Sequence, residues 1–410
     1  MDYSSIALNL RQDEAGVLFD LDSLYGRLQT LHDARCARGK VYPLAVVFLA
    51  FVLAKLSGED TPAGIAEWAR LRTEFFVAAF QLAHPRMPHA DTYRRLVRQA
   101  IPLAALNRLA QDYIDALLRE PEPQAAGLGR YIHIALDGKS LRGTIPTGSS
   151  RGVHLLAAYV PAQGLVLFQV AVSDKTNEIT AAPTVLQMVD LRGKIVTGDA
   201  LLAQRNLSQI VIDEGGHYVW TIKENQPYTC AAIAKLFTPQ TPTPGHGAVA
   251  TDFRTARTVG KDHGRIETRT LTASAMLAAF LREELTWPGV QQVFRLERTA
   301  VEVATGQTRR EVVYGLTSLS PAEAGPAELL QLTRDHWGIE NGLHYRRDKT
   351  LREDATRMKS STFAEALAIV NNLVIALALH AGQTNLASAR RQWAANLDDT
   401  AALLLTAPSR

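Results

Sequence analysis

The chain contains very little cysteine: Cys36 and Cys230 are the two cysteines in 410 residues. They form no Cys-x-x-Cys pair, so the sequence offers neither a zinc ribbon nor the framework of a disulfide-rich secreted protein. Sparse cysteine is typical of proteins in a reducing compartment. We therefore expect a cytoplasmic location.

The chain also lacks a long hydrophobic run. The most apolar stretch, Pro43 to Leu56, includes Lys55 and is too short to span a bilayer. The first eleven residues mix Asp, Ser and Arg, which is unlike a secretory signal. The sequence therefore predicts no membrane partner, and the stretch from Pro43 to Leu56 is predicted to be a buried helix.

A strong excess of one charge is missing as well. The 44 Lys and Arg residues are nearly balanced by 41 Asp and Glu, which gives a net charge of +3. This balance neither requires nor excludes a polyanionic partner, because nucleic-acid binding depends on where the positive charge lies. The content of 47% hydrophobic and 21% charged residues is ordinary for a soluble protein. At this length the chain suits two or three domains.

Residues 1–120 are predicted to form a helical domain. Thr61 and Pro62 are suited to start a short helix. A second helix is predicted to begin after Pro88, capped by Asp91, with one basic face. A short helix, a turn and a basic helix are typical of a helix-turn-helix DNA-binding domain. A helical packing module with a solvated arginine face would show the same pattern. The basic face consists of Arg94, Arg95 and Arg98.

A turn-rich linker begins at Pro121, and short apolar runs replace the helical pattern beyond it. The order βββαβαβ is predicted for residues 121–226, the first part of an α/β catalytic core. Residues 227–325 are predicted to be a β-rich insertion, and residues 326–410 the helical remainder of the core. The predicted strands are Tyr131–Leu136, His154–Val160, Leu165–Val172, Lys194–Val196, His217–Ile222, Ile266–Leu271, Val290–Thr299 and Thr308–Leu319, with helices around Thr180–Leu191 and Gln204–Asp213.

Three carboxylates stand in contexts that favour metal binding. Asp137 and Asp199 each end an apolar run that is predicted to be a strand, and Glu340 lies in a segment predicted to be helical. Strand ends and a packed helix can together supply the hard oxygen ligands that two Mg²⁺ ions need. Plainer interpretations exist: an Asp-Gly turn, a helix cap and a solvated helical glutamate. Glu353 and Asp354 are weaker candidates for the third ligand because they lie in a charged run.

Five motifs then identify a resemblance that covers nearly the whole chain. They are Asp137–Gly143, Lys175–Ile179, Thr197–Ala200, His263–Arg269 and His336–Asn341. In this order they resemble the H-repeat-associated, ISAs-type insertion-sequence transposases, a branch of the DDE transposases. The resemblance implies a ribonuclease-H-like catalytic core of α/β class, preceded by an all-α, helix-turn-helix-like domain.

The resemblance also implies an activity and its partners. The activity would be the cutting and joining of DNA by two-metal-ion chemistry, with Mg²⁺ as cofactor and Mn²⁺ able to substitute. The partners would be double-stranded DNA, as terminal inverted repeats and as target, and a second copy of the chain in a synaptic homodimer. The location would be the nucleoid of a bacterial cytoplasm. A nuclease that does not join DNA and an inactive copy that only binds DNA remain alternatives.

With this resemblance, Asp137, Asp199 and Glu340 are predicted to be the catalytic, metal-binding residues. His336 and Arg347 would share a face with Glu340 if the helix were continuous at 100° per residue, although Gly342 could break it. Trp337 could stack on a base or fill the core, and the core is the favoured interpretation. The residues predicted to contact DNA are Lys139, Arg142, Lys223, His263, Arg265, Arg269, His336 and Arg347, together with Arg94, Arg95 and Arg98 of the N-terminal segment.

Overall fold

The protein is described by a computed structural model, which covers residues 10–12, 18–36, 40–96, 101–122, 124–148, 152–172, 178–238, 251–262, 264–355 and 360–408. Within these residues the fold is mixed α/β, with one nine-stranded sheet and one pair of short strands. The strands are β1 (Leu10–Gln12), β2 (Leu18–Asp20), β3 (Ile132–Ser140), β4 (His154–Val160), β5 (Leu165–Val172), β6 (Lys194–Gly198), β7 (His217–Ile222), β8 (Arg254–Asp262), β9 (Arg265–Ser274), β10 (Gln292–Glu302) and β11 (Thr308–Thr317). The helices are α1 (Leu24–Gln29), α2 (Leu44–Leu56), α3 (Pro62–Arg70), α4 (Thr73–Phe80), α5 (Ala90–Arg95), α6 (Leu103–Leu117), α7 (Glu178–Gln187), α8 (Arg205–Asp213), α9 (Pro227–Leu236), α10 (Ala278–Glu283), α11 (Pro326–His336), α12 (Ser361–His380), α13 (Leu386–Ala395) and α14 (Leu397–Leu405).

The N-terminal segment is mostly helical, but the prediction that it is all-α is wrong in one detail. Strands β1 and β2 pair with each other in antiparallel fashion. Thr61 caps α3 as the sequence indicates, because its side chain accepts a hydrogen bond from the backbone N–H of Gly64. Helix α4 then lies between α3 and α5, where the sequence indicated only a turn.

The helix with the predicted basic face is α5. His89 caps this helix in place of Asp91, since its Nδ1 accepts a hydrogen bond from the Asp91 backbone N–H. The Asp91 carboxylate instead pairs with Arg94. Arg94 and Arg95 are exposed, whereas Arg98 lies outside the described residues. DNA contact by this face stays a prediction.

The first five strands of the large sheet and the helices between them follow the chain order that the sequence predicts. β3, β4 and β5 are antiparallel neighbours, and β6 and β7 lie on the other side of β3 as parallel strands. Parallel neighbours need a crossover connection, which α7 provides before β6 and α8 provides before β7. The described elements therefore run βββαβαβ, as predicted.

The segment predicted to be a β-rich insertion continues the same sheet. β11 pairs with β7, and β10, β9 and β8 follow outward in antiparallel order. The sequence indicated β9, β10 and β11 but not β8, whose residues are mostly polar. Helix α11 leaves β11 and packs across this platform, against β3, β6, β7, β8 and β9.

The larger of two apolar cores extends from Phe19 in β2 to Leu404 in α14, and the smaller lies between the sheet and α11. Helix α2 is buried along its whole length, as expected for a helix that is apolar on all sides. Among the described helices, α12 is long and apolar enough to cross a membrane by length and composition. Its most apolar window is 78% buried inside the protein, and it packs against α2, α6 and β5. Its apolar surface is therefore accounted for by the core.

Candidate active site

Two carboxylates meet where β3 and β6 stop pairing. The parallel register aligns Leu136 with Gly198, so Asp137 and Asp199 occupy the next position of each chain. Neighbouring strands lie about 4.8 Å apart, and side chains alternate between the faces of a sheet. Both carboxylates therefore belong to one face, close enough for the charge of Asp199 to act on Asp137.

Asp137 lies within β3 and not at its end. The strand continues to Ser140 alongside β4, which excludes the Asp-Gly turn as the reason for this sequence. Gly138 is required because a Cβ there would lie 2.4 Å from Oε1 of Glu178 and from Nε2 of His154. These two side chains are hydrogen-bonded to each other at 2.8 Å. The pair lies on the face of β3 opposite Asp137. Glu178 therefore packs against Gly138 and bonds to His154, a role that the sequence did not suggest.

Asp199 is fixed by the turn that follows β6. Its Oδ1 accepts backbone N–H bonds from Leu201 at 2.9 Å and from Leu202 at 3.3 Å. These bonds agree with the plainer interpretation of Asp199 as a capping residue. Both bonds use Oδ1, however, so Oδ2 can still bind a metal ion. The preceding Gly198 allows close packing, since a Cβ there would lie 2.7 Å from the Trp220 ring.

Glu340 reaches the same edge on the chain that follows α11. In the last turn of α11, Nδ1 of His336 lies 3.0 Å from Oγ1 of Thr197, which in turn lies 2.8 Å from Nε2 of His133. Thr197 and His133 are on the sheet face that carries the two aspartates. The contact fixes α11 against this face, and Glu340 follows about one helical turn later. His336 is thus buried beneath the site, and the prediction that it contacts DNA does not fit this position.

The helix changes to π-helical geometry at Glu340. The backbone N–H of Tyr345 bonds to the carbonyl of Glu340, and the segment Arg346–Thr350 continues in the same form. A π-helix turns by less than 100° per residue, so the phase expected of a continuous α-helix is lost. Gly342 does not break the chain; it makes room for the Tyr159 hydroxyl, which would lie 2.2 Å from a Cβ.

Because of this change of helical phase, the side chain of Arg347 points into the protein interior. Its side chain is 1% exposed, and its guanidinium donates to both carboxylate oxygens of Glu353 at 2.8 and 3.0 Å. Asn371 donates to the same carboxylate. The prediction that Arg347 clamps a DNA phosphate is therefore wrong for this geometry, and Glu353 is not available as a third metal ligand.

His344 belongs to the site but was not identified from the sequence. Its Nδ1 lies 3.3 Å from Oε2 of Glu340 and 3.9 Å from Oδ2 of Asp137. The three ligand atoms lie within 4.8 Å of one another. Burial, aided by nearby positive charges, lowers the pKa of His344 to about 3, so the imidazole is neutral at neutral pH. Its spacing of four residues from Glu340 was the available signal.

The electrostatics of the site favour a bound cation. Burial raises the pKa of Asp137 to about 7, helped by the negative charges of Glu178, Glu340 and Asp199 and opposed by a backbone hydrogen bond from Gly138. A carboxylate that is crowded in this way is stabilised in its charged form by a positive ion. Carboxylate oxygens are the ligands that Mg²⁺ and Mn²⁺ prefer. The residues present therefore fit a divalent metal ion.

Lys139 and Arg142 bind acidic residues of the segment that follows Glu340. Lys139 is buried, and its Nζ pairs with Asp348 and lies 3.8 Å from Asp354. The Arg142 backbone N–H donates to Asp354, and its exposed guanidinium lies 3.9 Å from that carboxylate. Asp348 is therefore the partner of Lys139. Asp354, the other weaker candidate for the third ligand, is paired with Lys139 and Arg142. Only Arg142 of the two basic residues presents its charge to solvent.

The remaining predicted DNA contacts lie at the edges of the site. Lys223 is exposed just after β7, beside Leu201 in the turn that holds Asp199. Arg265 and Arg269 share one face of β9, as strand alternation predicts. Arg265 is exposed, whereas Arg269 pairs with Glu267 through two hydrogen bonds. His263 lies outside the described residues.

A cleft of about 980 Å³ separates the outer strands from the C-terminal end of α11. It is lined by Arg265 and Arg269 on the strand side, and by Trp337 and Asn341 next to Glu340. The expectation that Trp337 fills the core is wrong, because this side chain is 51% exposed. The guanidinium of Arg298 lies 5.9 Å from its ring centroid. A basic, partly aromatic cleft thus reaches Asn341, the residue that follows Glu340.

Comparisons with known proteins match most of the chain. The family model described as "Transposase DDE domain" matches residues 128–377, and the model described as "DDE_Tnp_1-associated" matches residues 25–114. YbfL of Escherichia coli strain K12 is 25% identical over 360 residues, which are 87% of this chain and 90% of YbfL. YhhI of the same strain, named as an H repeat-associated transposase, is 28% identical over 246 residues, which are 59% of this chain and 62% of YhhI. Among solved structures, a piggyBac transposase synaptic complex with hairpin DNA has a TM-score of 0.42 and 10% identity, covering 94% of this chain and 80% of that one.

Proposed function

The chain belongs to the DDE transposase family, and from this premise we propose that it cuts and joins DNA at the ends of an insertion sequence. Asp137, Asp199 and Glu340 are proposed as its catalytic, metal-binding residues. The observation that carries the proposal is the register of β3 and β6, which aligns the two aspartates on one face of the sheet. Glu340 approaches Asp137 on that face. The strand order β5-β4-β3-β6-β7 supports a ribonuclease-H-like core.

The chain's own residues contribute rigid positioning. When bound, divalent ions would activate a water or a DNA 3′-hydroxyl and stabilise the leaving oxygen. Asp137 is held within a paired strand, Asp199 by its turn, and Glu340 by the contact of His336 with Thr197. Each donor is anchored through an independent element, so little reorganisation is needed when DNA arrives. Positioning of this kind supplies most of the rate in phosphoryl transfer.

The test is a joining assay with the full-length chain. A plasmid that carries the gene with its flanking DNA is incubated with the protein, Mg²⁺ and a target plasmid. We expect the element ends to be cut and joined to the target, as read by sequencing across the junctions. Cutting without joining would instead indicate a nuclease, and binding without cutting would indicate an inactive copy. The Glu340→Gln variant controls for contaminating nucleases.

We propose that DNA enters through the basic cleft beside α11. Lys261 and Arg265 on the outer strands and Arg334 on α11 are exposed around it, and their charges complement phosphate. The exposed Trp337 ring, three residues before Glu340, lines the same cleft, where a base can stack. The face of Arg94 and Arg95 would add contacts to the terminal repeats, and the synaptic complex would contain two copies of the chain.

Changing Lys261 and Arg265 together to Ala should weaken DNA binding and reduce its dependence on salt. Each lost phosphate contact lowers the slope of log affinity against log salt by about 0.9, so the double variant should lose about 1.8. Fluorescence anisotropy with duplex DNA at several salt concentrations measures the slope. Arg192→Ala is the matched control, because this exposed arginine precedes β6 at the opposite end of the sheet. Equal slopes for the native chain and the double variant would exclude the cleft as the DNA path.

A further inference from the structure

The donor atoms at the site are not all oxygen. Nδ1 of His344 lies between the carboxylates of Asp137 and Glu340, at 3.9 and 3.3 Å from their nearest oxygens. Among the described residues, these three side chains form the group whose ligand atoms lie mutually within 4.8 Å. Neighbouring ligands of an octahedral ion with bonds of about 2.1 Å lie about 3 Å apart. The two separations from Nδ1 need to shrink by less than about 1 Å to reach this geometry.

His344 is held in place before any ion arrives. The residue is 5% exposed and belongs to the π-helical segment that starts at Glu340. Residues four apart on a helix lie on one side, which is the spacing that places pairs of metal ligands on the helices of metalloenzymes. π-Helical turns occur frequently at functional sites. A buried imidazole whose nitrogen faces two carboxylates is therefore placed as a ligand and not as a surface group.

We propose that Nδ1 of His344 is itself a metal ligand, so that the site is a mixed nitrogen and oxygen centre that prefers Mn²⁺ to Mg²⁺. The inference deepens the proposed function, since it rests on Asp137 and Glu340 as metal ligands. Mg²⁺ is a hard ion that favours oxygen donors, whereas imidazole is a better ligand for first-row transition metals. A single nitrogen donor thus shifts selectivity without removing the carboxylates that either ion uses.

A purely structural role for His344 makes a different prediction. If Nδ1 only donated a hydrogen bond to Glu340, its loss would affect Mg²⁺ and Mn²⁺ alike, because the oxygen donors would be perturbed in the same way for both. Metal selectivity, measured as the ratio of the two dissociation constants, therefore separates the two roles. The ratio requires no catalytic turnover.

The experiment titrates the full-length chain with Mn²⁺, with and without duplex DNA, and follows free Mn²⁺ by electron paramagnetic resonance. Mg²⁺ affinity is obtained by competition. In the native chain Mn²⁺ should bind at least about tenfold more tightly than Mg²⁺. His344→Ala should weaken Mn²⁺ binding by about 10–100-fold, the usual cost of losing one supporting group at a metal site, and Mg²⁺ binding by less, so that the ratio falls. His217→Ala is the matched control, because this imidazole begins β7, at the end of the sheet away from the three carboxylates, and should leave the ratio unchanged.

A second measurement uses the native chain and does not depend on how well a variant folds. Electron spin-echo modulation of bound Mn²⁺ should show coupling to an imidazole nitrogen. Bound Mn²⁺ without nitrogen coupling overturns the inference but leaves the carboxylate site intact. An unchanged ratio in a folded His344→Ala chain does the same. Failure of the native chain to bind either ion would overturn the metal role of Asp137 and Glu340 as well.

Discussion

Asp137→Asn, Asp199→Asn and Glu340→Gln, each made alone, should reduce metal-dependent DNA cleavage by on the order of 10³-fold or more. Each substitution keeps the shape of the side chain and removes the negative charge that holds a divalent ion. The three donors converge from two strands and one helix, so none can replace another. DNA affinity should persist, because the basic cleft is unchanged. Cleavage of end-labelled DNA in Mg²⁺ and in Mn²⁺ measures the effect, and full cleavage by Glu340→Gln would reject this residue as a ligand.

The stability of Asp137→Asn provides the control for folding. The pKa of Asp137 is about 7 in the folded chain against an ordinary value of 3.8, so the fold favours the neutral acid. Its contribution to stability is complete below about pH 4 and is lost as the pH rises through 7. Asn cannot ionise, so in EDTA at pH 8 the variant should be more stable than the native chain, by up to about 4 kcal/mol. The difference should vanish at pH 4. A less stable variant at pH 8, measured by urea unfolding, would contradict this electrostatic account.

Arg347→Ala should destabilise the fold by about 3–5 kcal/mol, the usual cost of removing one partner from a buried ion pair. The substitution leaves the carboxylate of Glu353, which is 0% exposed, without its cation. Asn371 would still donate one hydrogen bond but would supply no charge. The expected defect is therefore a lower midpoint of urea unfolding, whereas the dependence of DNA affinity on salt should be unchanged at temperatures where the variant is folded.

Lys349→Ala is the matched control for this prediction. Lys349 belongs to the same π-helical segment but is exposed, so its loss should change stability by less than about 0.5 kcal/mol. If Arg347→Ala kept native stability and weakened DNA binding instead, the side chain would have to leave Glu353 and face the DNA. That result would restore the interpretation made from the helical phase alone.

The sequence was sufficient for the parts of the site that depend on local patterns. Apolar runs predicted β3 and β6, and the parallel register of these strands brings Asp137 next to Asp199. The four-residue spacing from His336 to Glu340 predicts one shared face, and this stays a prediction. It did not reveal that the face at His336 is covered by Thr197, since that contact joins residues 139 positions apart.

The parts that could not be predicted depend on helix phase and on long-range charge pairs. A π-helical turn has no clear composition, so Arg347 was assigned to the wrong side of its helix. Lys139 was predicted to bind phosphate because it follows a catalytic candidate. Its partner Asp348 lies 209 positions away, and only the folded chain shows that the two charges neutralise each other. His344 was overlooked because its approach to Asp137 joins distant parts of the sequence and appears only in the folded chain.

The alignment of Leu136 with Gly198 also determines how this enzyme can fail. A slip of one residue between β3 and β6 would move one aspartate to the opposite face of the sheet. It would also break the bond from Thr197 to the Ile134 carbonyl. No flexible loop lies between the paired segment and Asp137 to compensate for such a slip. A molecule with slipped strands would therefore keep only one of the two aspartates on the face that Glu340 approaches, and its metal site would be incomplete.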